Sequence, residues 1–119
     1  MPQVFTKAKL SGSTNGKPIK IAATATAGTT VHTAVTGTAA YDEIYLYLTN
    51  TSTSALTVTI EYGGVTDPDL LICKAMSLPP SSGPILVIPG LLLNNAQVLA
   101  VFASTANVVL ATGFVNQIV

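Results

Sequence analysis

Apolar and polar residues alternate in two neighbouring stretches near the middle of the chain. In residues 44–49 (IYLYLT) the aliphatic side chains point to one side and the tyrosines to the other. In residues 56–62 (LTVTIEY) the polar side carries Thr57, Thr59 and Glu61, which is typical of a half-buried antiparallel strand. The linking residues 50–54 (NTSTS) favour a turn, so the pattern predicts a hairpin. The positions that we expect in the core are Ile44, Leu46, Leu48, Leu56, Val58 and Ile60.

Short runs of the same kind recur along the rest of the chain, separated by Gly, Pro, Asn and Asp. They cover residues 4–10, 19–25, 29–35, 70–77, 85–88, 97–103 and 108–115. A helix around residues 91–103 is disfavoured by its β-branched content and by the Asn94-Asn95 break. The spacing predicts an all-β single domain, a β-sandwich or jelly-roll-like fold of roughly eight short strands.

The chain divides into a front segment and a body. Residues 1–18 form either an N-terminal arm or a first strand, and residues 19–119 form the β-sandwich body. The interruption SGSTNG, residues 11–16, has two interpretations. It is a hairpin turn that pairs residues 4–10 with 19–25, or a hinge that lets the first ten residues leave the body.

Residues 17–40 are dominated by Ala and Thr, which alternate in residues 23–27. Thr suits a pleated surface and Ala keeps the opposite face thin. One interpretation is an ordinary exposed strand and loop. The other is a contact with a second subunit, because few charged groups would lose water there.

The composition limits the kinds of partner that the chain is expected to bind. Of 119 residues, 49% are hydrophobic and only 8% are charged, with a formal net charge of zero. A free monomer with a net charge near zero is poorly soluble, so we expect a homo-oligomer. The sequence has no Arg, the residue best suited to phosphate and guanine, which argues against nucleic-acid binding. No apolar run approaches the ~20 residues of a membrane helix, so no membrane partner is expected.

Candidate catalytic residues do not form a recognisable motif. His32 is the only histidine and Cys73 the only cysteine, so His32 is assigned a structural or surface role. A Cys73–His32–Asp42 triad lacks any local signature. Asp42 and Glu43, as strand neighbours, point to opposite faces, and Asp67-Pro68-Asp69 is a turn sequence. We expect no enzyme activity, no metal and no cofactor.

Three stretches together resemble one family: KAKLSGSTNGKPIKIAATATAGTTVHTA, YDEIYLYLTNTSTSALTVTIEYGG and ILVIPGLLLNNAQVLAVFASTANVVLATGFVNQIV. They are similar to capsid decoration, or cement, proteins of tailed bacteriophages. The resemblance implies a β-sandwich or jelly-roll body, a homotrimer, and the major capsid protein as partner. It also implies synthesis in the host cytoplasm and a final position on the outside of the phage head, bridging capsomers. Another head or tail component remains an alternative.

Four of the five basic residues lie in the first twenty positions, and all five acids come later. The hypothesis is that this front segment docks on an acidic capsid or neighbouring surface, with lysines steering and Phe5 anchoring. The candidate contact residues are Phe5, Lys7, Lys9, Lys17 and Lys20. A plain first strand with solvated lysines is the competing interpretation. A host-surface carbohydrate-binding module is the other alternative, and it requires several tyrosines to face outward together.

Overall fold

The computed structural model describes residues 4–119, and all regular structure within that range is β-strand. The predicted all-β fold is therefore confirmed. The strands are β1 (Phe5–Lys9), β2 (Ile19–Ile21), β3 (Thr29–Thr33), β4 (Tyr41–Asn50), β5 (Leu56–Tyr62), β6 (Leu71–Leu78), β7 (Ser82–Leu93), β8 (Val98–Ala103) and β9 (Val109–Ile118). Residues 4–119 thus include no helix long and apolar enough to cross a membrane.

The strands form two antiparallel sheets that face each other. Sheet A has the order β1-β9-β4-β7, and β2 pairs with the other end of β9. Sheet B has the order β3-β8-β5-β6. If β1 and β2 are counted as one interrupted strand beside β9, eight strand positions remain in two four-stranded sheets. From β2 to β9, every connection except β5–β6 joins a strand of one sheet to a strand of the other, which is the jelly-roll arrangement.

The core lies between the sheets. All six predicted core residues of β4 and β5 are buried, so the face assignment from alternation is confirmed. They pack in one cluster with inward residues of the other strands, including Leu99, Val101, Val109 and Val115. Along β4 and β5 each inward residue lies two positions from the next, as the pleat requires. On β6 and β7 register shifts place Cys73 and Met76, and likewise Ile85 and Ile88, three positions apart.

The predicted hairpin between β4 and β5 is wrong. β4 pairs with β7 and β9, whereas β5 pairs with β6 and β8 in the other sheet. The polar link is a crossover organised by Asn50, whose side chain is fully buried. Its Nδ2 donates to the carbonyl oxygens of Ser54 and Pro79, both at 3.0 Å, and its Oδ1 accepts the Ser52 N–H at 2.9 Å.

The predicted pairing of residues 4–10 with 19–25 is also wrong. β1 pairs with the C-terminal half of β9, from Phe5 opposite Ile118 to Lys9 opposite Phe114. β2 is only three residues long and pairs with Val109–Ala111 of the same strand. Residues 5–9 thus form an edge strand of sheet A. Residues 1–3, which belong to the proposed arm, lie outside the described residues.

The Ala- and Thr-rich residues 22–28 are a loop, not the continuation of a strand. The loop folds over the outer side of sheet B, where the Gly28 N–H donates to Oε1 of Glu61 at 2.7 Å. The Thr26 hydroxyl donates to the other carboxylate oxygen. Glu61 was predicted on a half-buried polar face, and this is a correction: it is only 1% exposed, because the loop covers it.

Candidate interaction surface

The outer face of sheet A is defined here as the side of β1, β2, β9, β4 and β7 that points away from the core. On β4 it carries Tyr41, Glu43, Tyr45 and Tyr47, which alternate with the buried Asp42, Ile44 and Leu46. Three of the four tyrosines therefore share one face of one strand. The fourth, Tyr62, packs against the core instead.

The pairing register extends this face across the sheet. Phe114 and Asn116 of β9 lie opposite Tyr45 and Glu43 of β4. On the far side of β9, Lys9 lies opposite Phe114 and Lys7 opposite Asn116. Because paired residues in an antiparallel sheet point to the same side, these side chains form a continuous surface.

The centre of the surface is an aromatic stack. The rings of Tyr45 and Phe114 have centroids 4.8 Å apart and an interplanar angle of 17°. The Lys7 ammonium lies 4.7 Å from the Phe114 centroid, a cation–π contact. Asn116 Nδ2 donates to Glu43 Oε1 at 3.0 Å. Burial, followed by the negative charge of neighbouring Glu43, raises the pKa of Tyr45 above its ordinary value.

Strand β7, at the other edge of sheet A from β1, adds apolar side chains to the outer face. Leu86 and Leu92 lie beside Tyr47 and Glu43 in the register, and both are exposed, by 44% and 49%. Gly90, with a φ of +100°, makes room for Tyr45: a Cβ there would lie 3.0 Å from the tyrosine Cζ and hydroxyl oxygen. The glycine thus permits the tyrosine ring to lie against β7 and Phe114.

The structure brings four of the five predicted contact residues to one edge of this face. Phe5, Lys7 and Lys9 alternate with the partly buried Ala8 on β1, and Phe5 is 62% exposed. Lys20 of β2, flanked by inward Ile19 and Ile21, continues the row beside Leu110 of β9. We call Phe5, Lys7, Lys9 and Lys20 the basic edge.

Lys17 lies apart from the basic edge. It ends a tight turn in which its own N–H donates to the Thr14 carbonyl at 2.9 Å. Asn15 and Gly16 in the middle of the turn both have positive φ, of 56° and 79°. Within residues 4–119, no ion pair includes Lys7, Lys9, Lys17 or Lys20.

Sequence reasoning missed the remainder of the surface, namely Phe114, Asn116, Leu86 and Leu92. The alternation of residues 41–47 already indicated that the tyrosines share a side. The position of Phe114 beside Tyr45, however, depends on which strand neighbours β4, and no local pattern encodes that neighbour.

His32 has a structural position between the two sheets. It is buried on β3, and its Nδ1 accepts the Ser11 N–H at 2.9 Å. Its Nε2 lies 2.7 Å from Oδ2 of buried Asp42 on β4. Because Nδ1 is an acceptor, the proton of the neutral ring sits on Nε2 and is donated to Asp42.

The possible triad with Cys73 does not form. Cys73 is on β6, at the opposite edge of sheet B from β3, so three strand spacings of roughly 14 Å in all separate their strands. Asp67 instead forms an exposed ion pair with Lys74 at 2.8 Å. Within residues 4–119, no three His, Cys, Asp or Glu side chains gather into a group that could hold a metal ion.

Comparison with known proteins finds no matching family model, no matching curated protein and no matching solved structure.

Proposed function

We propose that the protein is a virion structural protein, a capsid decoration or cement protein that binds the outside of a bacteriophage head and bridges capsomers. The observation that carries this proposal is the outer face of sheet A, where a half-buried aromatic stack and exposed aliphatic side chains adjoin the basic edge. The jelly-roll strand order adds a fold-level analogy, since such sheets build many viral capsid domains.

The size of the face suits a protein partner. Four strand positions across and the ten residues of β4 along it give roughly 600 Å² of sheet. A standard protein interface buries about 800 Å² on each partner. A contact that covers this face and its rim therefore approaches the size of a stable complex.

The two kinds of residue on the face have different roles in docking. Exposed ion pairs contribute only about 0–1 kcal/mol each, so the lysines mainly steer the approach to an acidic capsid surface. Burying an exposed aromatic or aliphatic side chain contributes more, about 1.5–3 kcal/mol for Phe5 or Leu92. The lysines thus supply orientation and the apolar residues supply most of the affinity.

The stabilising mechanism is mechanical and relies on many copies. A homotrimer presents three such faces, so each bound trimer engages the shell at several points. Neighbouring capsomers then separate only when these contacts break together. The major capsid protein is the partner on the shell side.

Substitutions on the basic edge test the docking. Purified heads that lack this chain are mixed with the wild type, with Phe5→Ser and with Lys9→Glu, and bound protein is measured by co-sedimentation. If the face docks, Phe5→Ser binds at least about tenfold more weakly, because it removes an apolar anchor. Lys9→Glu also binds more weakly, because it replaces an attraction to the acidic surface by a repulsion. Thr33→Glu, an exposed change on the edge strand of sheet B, is the matched control and binds normally.

Point changes are preferable to deleting residues 1–10, because Leu10 is 1% exposed and its loss would destabilise the core. Thermal unfolding of each variant separates a folding defect from a docking defect. Unchanged binding of both folded variants to the heads would rule out this face as the docking surface.

A second candidate function is favoured by one observation, the common outward face of Tyr41, Tyr45 and Tyr47. Tyrosine rings on a sheet face, next to the hydrogen-bonding pair Glu43 and Asn116, suit the apolar side and hydroxyls of a sugar. This host-surface function predicts binding on a glycan array that Tyr41→Ala abolishes. Head binding without glycan binding selects the decoration function, and the reverse selects the carbohydrate-binding function.

A further inference from the structure

The outer side of sheet B contains a cleft of about 220 Å³ beneath the Ala- and Thr-rich loop. Its walls are largely apolar and include Val65, Leu71 and Phe102. Two carboxylates also line it: the buried Glu61 and, on the loop between β5 and β6, the exposed Asp67. An apolar cleft with carboxylates at the floor and rim suits an alkyl chain that ends in a cation.

Glu61 has no positively charged partner among residues 4–119. Its two oxygens accept hydrogen bonds from the Thr26 hydroxyl and the Gly28 N–H, both neutral donors. A buried carboxylate is costly without a compensating charge. A cation that enters the cleft from outside therefore gains the attraction of Glu61 as well as that of Asp67.

The chain itself carries the complementary groups. Lys7, Lys9, Lys17 and Lys20 are exposed and form no ion pair within the described residues. Three of these lysines belong to the outer face of sheet A. Lys17 alone is carried on the tight turn between β1 and β2, outside the strands of that face.

The turn has the features of a rigid projection. Its central residues, Asn15 and Gly16, are exposed, and a Cβ added at Gly16 would contact nothing within 4 Å. Its base is fixed, because the buried Ser13 hydroxyl donates to the Lys17 carbonyl at 2.7 Å. A lysine on such a turn reaches a partner with little loss of backbone freedom.

We propose that the cleft binds the Lys17 side chain of a second copy of this chain. The methylene stem packs against Leu71 and Phe102, and the ammonium group lies between Asp67 and Glu61. Turn and cleft are different surfaces, so the contact is heterologous and repeats from copy to copy until a ring closes. It leaves the outer face of sheet A free, and it does not depend on the proposed capsid function.

The test is a charge exchange between the two surfaces. Sedimentation velocity at micromolar concentration compares the wild type, Lys17→Glu, Asp67→Lys and the double variant with both changes. The wild type forms a species above the monomer mass of 12.2 kDa. Each single variant weakens association by about tenfold or more, and the double variant restores most of it, because the opposite charges are again paired.

Two further variants serve as controls. Lys20→Glu changes a lysine of the basic edge and leaves the association constant unchanged. Lys74→Gln removes the exposed partner of Asp67 and leaves association unchanged or stronger, because Asp67 then serves the second copy alone. Thermal unfolding confirms that each exposed substitution retains the fold.

A monomeric wild type overturns the proposal, as does a Lys17→Glu variant that associates normally. Equal weakening by Lys17→Glu and Lys20→Glu also overturns it, because the effect would then be one of total charge. Failure of the double variant to recover counts equally against direct pairing. Head binding is measured separately, so none of these results bears on the proposed docking face.

Discussion

His32 and Asp42 join the two sheets across one end of the core, with 2.7 Å between Nε2 and Oδ2. The contact links β3 of sheet B to β4 of sheet A, and both side chains are almost fully buried. Asp42 also accepts the Val35 N–H at 3.1 Å, and Ser11 donates to the far side of the imidazole. The pair thereby fixes the segment after β1 and the loop after β3 to the sandwich.

Replacing His32 by Leu leaves the Asp42 carboxylate buried with only one hydrogen-bond donor. We expect a loss of about 1.5–3 kcal/mol in the free energy of unfolding, because the buried carboxylate loses the hydrogen bond that the neutral imidazole donates to it. Urea unfolding measures the change. Thr33→Ala, at the exposed neighbouring position, is the control and should change stability by less than about 0.5 kcal/mol. A loss below about 1 kcal/mol for His32→Leu would show that the pair does not stabilise the fold.

The approximate positions of most strands were predictable because the two-residue period is a local property. The faces of β4 and β5 follow directly from the alternation of Leu46 and Tyr47, or of Ile60 and Glu61. The sheet to which each strand belongs is not local. Asn50 belongs to a crossover rather than a turn, because its side-chain amide donates a hydrogen bond to the carbonyl oxygen of Pro79, a residue remote in sequence.

The same reason explains what was missed at the candidate sites. Glu61 looks like an exposed strand residue, and only the loop at Thr26 and Gly28 buries it. The lysines of β1 and β2 form one row because both strands pair with β9. Each of these relationships joins segments that are more than thirty residues apart.

Leu46→Ala tests the core. Leu46 is fully buried at the centre of β4, so its truncation removes transfer free energy and leaves a cavity. We expect a loss of about 2–5 kcal/mol in the free energy of unfolding. Leu86→Ala makes the same chemical change on the adjacent β7, at an exposed position, and should cost less than about 1 kcal/mol. Equal losses for the two variants would contradict the assignment of inward and outward faces.

Tyr62→Phe tests a buried hydroxyl group. Among residues 4–119 the Tyr62 hydroxyl finds no hydrogen-bond partner, so its removal relieves a desolvation cost. We expect the variant to match the wild type or to exceed its stability by about 1 kcal/mol at neutral pH. A clear loss of stability would show that the hydroxyl has a partner.

Alkaline pH provides a second measurement on Tyr62. Burial raises the pKa of Tyr62 to about 12, above the ordinary value of 10.0. Between about pH 10 and pH 12 the folded state therefore keeps the Tyr62 hydroxyl proton, whereas the unfolded chain loses it. The resulting stability is complete below about pH 10 and is lost as the pH rises towards 12. Thermal melts on both sides of this range should show a smaller alkaline loss for Tyr62→Phe than for Tyr47→Phe, its control on the outer face.

Gly90→Ala tests how the aromatic centre of the outer face is held. The backbone φ of +100° strains any residue with a Cβ, and that Cβ would lie 3.0 Å from the Tyr45 ring. We expect a loss of about 1–3 kcal/mol in stability and a displaced Tyr45 ring. The displacement should weaken the near-ultraviolet circular dichroism of the Tyr45–Phe114 stack.

Gly83→Ala provides the matched control on the same strand. A Cβ at Gly83 would have no neighbour within 4 Å, and its φ lies outside the strained positive range. The alanine there should be neutral or slightly stabilising, because it restricts the unfolded chain. If Gly90→Ala proved equally harmless, Tyr45 would not depend on the space at position 90. If it lost stability but kept the aromatic signal, backbone strain alone would account for the glycine.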